Sequence, residues 1–218
     1  FRHMAEHDQL TGLPNRLLYI DRLKQALVYA QWHNRTIAVI FLDIDHFKHI
    51  NDVLGHEAGD RLICQVSDRL KKCLRERDIV ARFGGDEFVI LLDDVASTND
   101  ITVLAEKILD TMREPFLLGQ ATFNVTVSMG ISLYPSDGGD TAILLKNADL
   151  AMYRAKDLGR NNFQFYSSEM TARAQTRLMM ESKLRNALEN REFLLYYQPQ
   201  IDVRTGKVGG VEALLRWC

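Results

Sequence analysis

The stretch "TIAVIFLDID", Thr36 to Asp45, is an unbroken β-branched and apolar run that ends on two acids. Such a run suits a strand buried on both faces, since a half-buried strand alternates apolar with polar residues. Asp43 and Asp45 then fall at its carboxyl end, where α/β sheets place their binding crevices. A second stretch, "RFGGDEFVILL" from Arg82 to Leu92, sets Gly84 and Gly85 between β-prone runs and follows them at once with Asp86 and Glu87. Gly-Gly in that setting predicts a tight hairpin turn, because glycine takes positive φ without a Cβ clash. If the buried strand lies beside this hairpin, Asp43 and the Asp86–Glu87 pair meet at one edge of the sheet. Clustered carboxylates without matching arginines suit Mg²⁺, a hard cation that takes oxygen ligands and also binds phosphates. In an extended strand Asp86 and Glu87 point to opposite faces, so spacing alone does not make both of them ligands. Asp45 also suits the N-cap of a helix at "HFKHIND".

Around these stretches the chain alternates elements. "NRLLYIDRLKQALVYAQWHN" has apolar residues at helical spacing, and "AGDRLICQVSDRLKKCL" carries Leu62, Ile63, Val66, Leu70, Cys73 and Leu74 on one stripe. A helix capped near Ser97 or Thr98 is predicted to run to about Arg113. "FNVTVSMGISLY" alternates from Phe123 to Leu133 and predicts a half-buried strand, and "TAILLKNADLAMYRAKDLG" predicts a helix ended by Gly159. The order β-α-β-β-α-β-α-β, with a hairpin at its centre, predicts an α/β (α+β) class. Its central sheet is mainly antiparallel and flanked by helices. Past "NNFQFY" the texture changes to a long polar-rich helix from Ser168 to Asn190, then two strands joined by the turn "RTG". Residues 1–7 read as the end of an upstream linker helix, 8–166 as the main domain, and 167–218 as a linker helix with the first strands of a truncated second domain.

Bulk numbers exclude several classes. The 218 residues are 46% hydrophobic and 26% charged, ordinary for a soluble globular chain, and the net charge of -2 gives no argument for a nucleic-acid partner or an anionic membrane. The longest wholly apolar run, "IAVIFL", is far short of the roughly 20 residues that span a bilayer. Cys64 and Cys73 fall on opposite faces of one predicted helix and cannot pair within it, and no CxxC spacing suggests zinc. Reduced thiols and a cytoplasmic location are expected, with upstream segments of the parent free to tether it to the inner membrane. No GxxxxGK[ST] loop is present, which excludes a P-loop NTPase.

"GGDEF" at Gly84 to Phe88 matches, letter for letter, the signature of the GGDEF family of diguanylate cyclases. "DQLTGLPNR" at Asp8 to Arg16, "DIDHFKHINDVLGHEAGD" at Asp43 to Asp60, and "ADLAMYRAKDLGRNN" at Ala148 to Asn162 stand in the family's order. The last part, "YYQPQIDVRTGKVGGVEALLRW", resembles the opening of an EAL-type cyclic di-GMP phosphodiesterase domain.

The family resemblance implies a fold similar to the adenylyl cyclase and polymerase palm. It also implies condensation of two GTP into cyclic di-GMP with release of two pyrophosphates. On this chain it makes Asp43 and Asp86 ligands of Mg²⁺ (or Mn²⁺), with the carbonyl of Ile44 completing the shell. Asp86 accepts the 3′-hydroxyl proton and Glu87 supports metal or charge. Asn51 and Asp60 read the guanine edge, and His56 lies between them. Phe47, Lys48, Lys156 and Arg160 stand near the triphosphate, while Gly84 and Gly85 let backbone amides approach the phosphates. Lys156 and Arg160 also lie at a helix C-terminus, where cations are favoured in any case.

"RERD", Arg75 to Asp78, lies five residues before the Gly-Gly and matches the RxxD motif with which many of these cyclases bind product. Arg75 would supply a planar fork to phosphate and guanine, and Asp78 an acceptor. Gln198, Glu212 and Arg216 match phosphodiesterase positions for ligand, metal and phosphate. The other acids and the lysine of that site lie outside this sequence, so hydrolysis by it is not expected. One domain has residues for one GTP while the product joins two, so a homodimer is expected. A second reading is a catalytically silent GTP-binding module that controls a phosphodiesterase neighbour.

Overall fold

A computed structural model describes residues 6–218. Of the stretch read as an upstream linker, residues 1–5 lie outside the described residues, and His7 makes an isolated β-bridge to Pro14. The contacts divide the chain into two compact units, the first ending at Met170 and the second running Thr171–Cys218.

The first unit is built on a five-stranded sheet. Helix α1 (Arg16–His33) starts where the Asn15 side chain accepts from the amides of Leu17 and Leu18, and it stops at Asn34, whose φ of 52° is left-handed. Strand β1 (Ile37–Ile44) follows, buried at every position. Helices α2 (Phe47–Leu54) and α3 (His56–Cys73) come next. The hairpin β2 (Ile79–Gly84) and β3 (Glu87–Leu92) then leads to α4 (Thr98–Arg113), capped by Ser97. A small hairpin, β4 (Phe116–Leu118) with β5 (Ala121–Phe123), precedes β6 (Val127–Tyr134), α5 (Thr141–Asp157) and β7 (Phe163–Phe165). The sheet order is β2-β3-β1-β6-β7, antiparallel except for the parallel pair β6–β7.

Two apolar clusters cover the two faces. Ile40, Leu42, Phe88, Ile90 and Met129 meet Leu62 and Val66 of α3 and Ile101 and Ile108 of α4. Val39, Phe41, Val89 and Leu91 meet Tyr19, Leu23 and Leu27 of α1 and Leu144 and Met152 of α5. Alternation along β1 therefore sends Phe41, and with it Asp43, to the α1–α5 face.

The expected half-buried strand over Phe123 to Leu133 is corrected in two ways. Phe123 ends β5, and β6 begins only at Val127. That strand is buried on both faces because its small polar positions are bonded inward: Ser128 Oγ donates to Asp45 Oδ1 at 2.7 Å and Ser132 Oγ donates to the Leu144 carbonyl at 2.8 Å. Between them, Gly130 takes α5 onto its bare backbone. A Cβ there would collide with the Ala148 carbonyl oxygen and the Met152 amide nitrogen.

The second unit consists of the rest of α6 (Ser168–Glu189) and the hairpin β8 (Phe193–Ile201) with β9 (Val208–Trp217). Gln198 faces Glu212 across the pair, and Trp217 Nε1 donates to Glu192 at 3.0 Å. Leu195, Tyr197, Val211 and Leu215 are exposed apolar side chains on one face of it.

Gly130→Ala is expected to lower unfolding free energy by roughly 1–3 kcal/mol, because backbone rather than a flexible side chain occupies the space. Urea unfolding checks this: the midpoint should fall with an unchanged slope. An unchanged midpoint would contradict the direct seating of α5 on β6.

Candidate active site

Three structural devices bring the site together at one end of the sheet. The first is register. Asp43 lies opposite Glu87 on β3 and opposite Ser128 on β6, and the Ile44 amide donates to the Asp86 carbonyl at 3.4 Å. Glu87 thus shares the α1–α5 face with Asp43, while Asp86 sits in the turn before β3 begins. The opposite-faces expectation for these two acids resolves in that way: Glu87 is the strand neighbour and Asp86 the turn residue.

The second device is the turn. Gly84 has φ 144° and Gly85 φ 51°, conformations that side chains resist, and nothing crowds either Cα. Arg82 fixes the turn: its Nε and Nη2 donate to the Gly85 carbonyl at 3.0 and 2.8 Å. Its Nη1 donates to both oxygens of Asp8, at 3.0 and 3.1 Å. Asp8 also accepts from the amide and hydroxyl of Thr11. Burial opposes ionisation of Asp8, yet the Thr11 bonds and the Arg82 guanidinium outweigh it and hold the carboxyl below its ordinary range. Residue Phe83, where the β2–β3 register shifts, packs edge-on against Tyr19 and Phe41, with Arg16 over its ring.

The third device is Asp45, which is 3% exposed. It accepts from Thr126 Oγ1, Ser128 Oγ and the Asn161 amide at 2.6, 2.7 and 3.2 Å. The N-cap expectation for it is corrected: His46, with left-handed φ 59°, holds that position and makes no side-chain cap. Asp45 is a buried staple between β1, the start of β6 and the loop after α5.

Lys156, in the last turn of α5, places Nζ 2.8 Å from Asp43 Oδ1. Burial first, and then repulsion from Asp86 and Asp45, pushes the Asp43 carboxyl up to about 6 against the opposing pull of Lys156. Glu87 is raised by burial, then by the charges of Asp149 and Asp86, with Lys156 and Arg16 opposing. Desolvation raises Asp149 as well, again opposed by Lys156. Asp149 and Arg16 were not singled out from the sequence. A signal existed for Asp149, which stands two helical turns before Lys156 and so on the same face of α5.

Asn51 and Asp60 are joined through Gly59. The Asn51 carboxamide lies across this glycine, leaving no room for a Cβ, and Asn51 Oδ1 is buried with no hydrogen-bond partner. Asp60 and His56 are exposed on the first turns of α3. Phe47 is half-buried and packs against the core, with its ring beside Gly59, while Lys48 is exposed. Arg160 is exposed in the left-handed residue pair that follows Gly159.

Among the described residues no group of three or more His, Cys, Asp or Glu is spaced to hold a metal ion by itself. The donor set at Asp43, Asp86 and the Ile44 carbonyl is all oxygen, and a cation, the Lys156 ammonium, already sits on Asp43. Those features fit Mg²⁺, which commonly takes one or two carboxylates and leaves other positions to water and phosphate.

Arg75 and Asp78 stand at the other end of β2. The Arg75 amide donates to Asp78 Oδ2 at 3.0 Å, and the Asp78 amide donates to the Arg75 carbonyl at 3.0 Å. Beside them a cavity of about 320 Å³ is lined by Arg75, Arg77, Asp78, Val95, Leu104 and Lys107. Gln198, Glu212 and Arg216 share one face of the β8–β9 hairpin by register, and Arg216 lies over the Tyr196 ring at 5.9 Å.

The family model described as "Diguanylate cyclase, GGDEF domain" matches residues 5–162, and the EAL domain model matches 181–218. The chain is 45% identical over 214 residues to the bifunctional diguanylate cyclase/cyclic di-GMP phosphodiesterase MucR of Pseudomonas aeruginosa, covering 98% of this chain and 31% of that protein. It is 44% identical over 216 residues to the cyclic di-GMP phosphodiesterase NbdA of the same organism, covering 99% and 28%. It therefore spans about a third or less of the length of these two relatives. Among solved structures, the GGDEF domain of TpbB (YfiN) from Pseudomonas aeruginosa superposes with TM-score 0.76 at 42% identity, covering 78% of this chain and 99% of that one. The GGDEF domain of DgcB from Caulobacter crescentus, in complex with c-di-GMP, gives 0.69 at 31% identity, covering 74% and 95%. No described helix is long and apolar enough to cross a membrane.

Because the folded-state pKa of Asp8 lies below the usual 3.8, its ionised form stabilises the fold above that pH, and this contribution is lost as pH falls through the folded pKa. Asp8→Asn should therefore unfold more easily near neutral pH by about 1–3 kcal/mol, the scale of a charged hydrogen bond. Denaturant midpoints of the two proteins should converge as pH falls below 3.8 and through the lowered folded-state pKa of Asp8. A constant gap across that range would remove the charged clamp from the account.

Proposed function

This chain belongs to the GGDEF family of diguanylate cyclase domains, and from that premise we propose that it condenses two GTP into cyclic di-GMP and releases two pyrophosphates. The observation that carries the proposal is the meeting of an undegenerate Gly84-Gly85-Asp86-Glu87-Phe88 turn with Asp43 and Lys156 at one sheet edge. A bound Mg²⁺ or Mn²⁺ supplies charge neutralisation at the phosphates and makes the 3′-hydroxyl more acidic. Asp43, Asp86 and the Ile44 carbonyl are its holders in this reading.

The remaining roles belong to the chain's own groups. Asp86 accepts the proton of the attacking 3′-hydroxyl, and Glu87 keeps the edge electronegative beside it. Gly84 and Gly85 present backbone amides with open space above them for phosphate oxygens. The start of α2, where His46 gives no side-chain cap, leaves the first amides around Phe47 and Lys48 to an anion. That assigns the Phe47 position to its backbone, since its ring is committed to packing beside Gly59. Lys156 and Arg160 neutralise the departing pyrophosphate. The unpartnered Asn51 oxygen costs about 1–3 kcal/mol while unmet, and a guanine N–H relieves that cost once the carboxamide turns toward it. Asp60 accepts from the same edge, with His56 at the rim. Each GGDEF domain holds one GTP, so two copies of the chain face each other for bond formation. Cyclic di-GMP binding at Arg75 and Asp78, beside the cavity at the far end of β2, restrains the cyclase.

A second reading, a GTP-binding module that only regulates an EAL neighbour, draws support from NbdA, a similar protein named as a phosphodiesterase. One assay separates them: the 218-residue chain incubated with GTP and Mg²⁺ should form cyclic di-GMP. Asp86→Ala and, separately, Asp43→Ala should each lower the rate by a factor of about 10³ or more while retaining the native circular dichroism spectrum. Near-normal turnover by Asp86→Ala would remove this mechanism. Specific activity should also rise with protein concentration through the range where dimers form. A flat profile from a sample shown to be monomeric would contradict the facing pair.

A further inference from the structure

Lys156 is asked to do two things that compete. In the proposed reaction its ammonium faces the triphosphate. In the structure it lies 2.8 Å from Asp43 Oδ1, with the lysine side chain 26% and the aspartate side chain 11% exposed. An ammonium at that distance repels a metal ion approaching the same carboxylate, by like charge in a partly desolvated place.

The surroundings explain why a cation is needed there. Asp43 feels the charges of Asp86 and Asp45, and Lys156 is also the opposing charge for Glu87 and Asp149. One ammonium is thus shared by acids on β1, β3 and α5 itself. Arg16 is a second opposing cation at Glu87, but it is over the Phe83 ring, 5.4 Å from its centroid. Stripping Lys156 away with nothing in exchange would leave a half-desolvated carboxylate facing like charge.

The backbone beneath Lys156 is fixed. Gly130 seats α5 against β6, the Arg160 amide donates to the Ala155 carbonyl at 3.1 Å, and the Asn161 amide donates to the buried Asp45 at 3.2 Å. Movement of the ammonium is therefore a matter of side-chain torsions, which cross in nanoseconds where exposed, rather than of helix displacement.

We propose that Lys156 is an exchangeable counter-ion: it occupies Asp43 in the nucleotide-free state and vacates that carboxylate when metal arrives, its ammonium then being taken up by the triphosphate. The proposal rests on Asp43 being a metal ligand, as set out above. It follows that metal alone binds this chain weakly, since the other acids that Lys156 serves, Glu87 and Asp149, keep its charge at the same edge and so beside the ion. Nucleotide supplies another destination, so metal and GTP favour each other's binding by linkage.

The test is a titration of the 218-residue chain with Mn²⁺ alone, without nucleotide, reading free Mn²⁺ by electron paramagnetic resonance. Lys156→Met should bind Mn²⁺ about tenfold more tightly than the wild type, within the range usual for coupled ligands. Arg160→Met removes an equal charge from the loop just after α5 but not from Asp43, and should stay within about twofold of wild type on the same scale. Lys156→Gln repeats the measurement should the methionine variant fail to fold. A Lys156 variant that binds no more tightly than wild type overturns the counter-ion, and so does an equal gain in Arg160→Met. The double variant Lys156→Met with Asp43→Asn separates the two layers. Retention there of the tightened site would show that Asp43 is not the ligand, overturning the metal assignment and this inference together.

Discussion

Everything at the active edge hangs on the burial of β1 between β3 and β6. All eight of its residues are covered, and its neighbours are paired over nearly the whole length. A strand so held has no freedom of register, because a slip by one residue would send Phe41 and Val39 into the α3–α4 layer and Ile40 and Leu42 into the α1–α5 layer, each into space packed around the other set. Fixing that register fixes the neighbour of Asp43 as Glu87 on one side and Ser128 on the other. The apolar layers thus do the positioning, and the charged groups inherit their places at the strand ends, where alternation no longer demands an apolar residue.

What the apolar layers do not reach is held by charge. The Gly84–Gly85 turn and the segment around Asp8 to Pro14 have few side chains to bury. Arg82 joins them with bonds to the Gly85 carbonyl and to Asp8, and its own amide donates to the Pro14 carbonyl. Asp45 does the same for the opposite flank, where a carboxylate just past β1 collects donors from Thr126, Ser128 and Asn161. Both are multiply bonded, as a charged group with little access to water must be. Asp43 differs. It has one cation for partner and acids around it, and its carboxyl is pushed up to about 6. A group so placed is poised to exchange its cation, whereas Asp8 and Asp45 are tied by several hydrogen bonds each.

The sequence revealed the elements whose signal is local. Ser97 and the β-branched run of β1 each announce themselves within a few residues, and the Gly-Gly turn does so by the demand for positive φ. It misled where partners come from far away. Ser128 and Ser132 look like the wet face of a strand until Asp45 and the Leu144 carbonyl are seen to accept from them. Asp45 looks like a helix cap because a cap is the nearest thing it could bond, yet its three donors come from beyond Thr126 in the chain. The joining of Asp8 to Arg82 carries no local mark, since opposite charges 74 positions apart have no periodicity to betray them.

The same distinction separates the two ends of β2. At one end the turn is glycine and backbone, open above and braced from below by Arg82; at the other, Arg75 and Asp78 close a small turn of their own beside a cavity lined by Val95, Leu104 and Lys107. Six residues of strand separate them, about 20 Å at the usual rise. Ala81 and Val80 between are buried in opposite clusters, so β2 is gripped from both faces and cannot pivot at its middle. An event at Arg75 therefore has a stiff element leading to Gly84 and Arg82. The edge position of β2 leaves its outer side without a strand neighbour in this sheet, so that stiffness comes from β3, the two apolar layers and the bonds of Arg82 to Pro14 and Asp8.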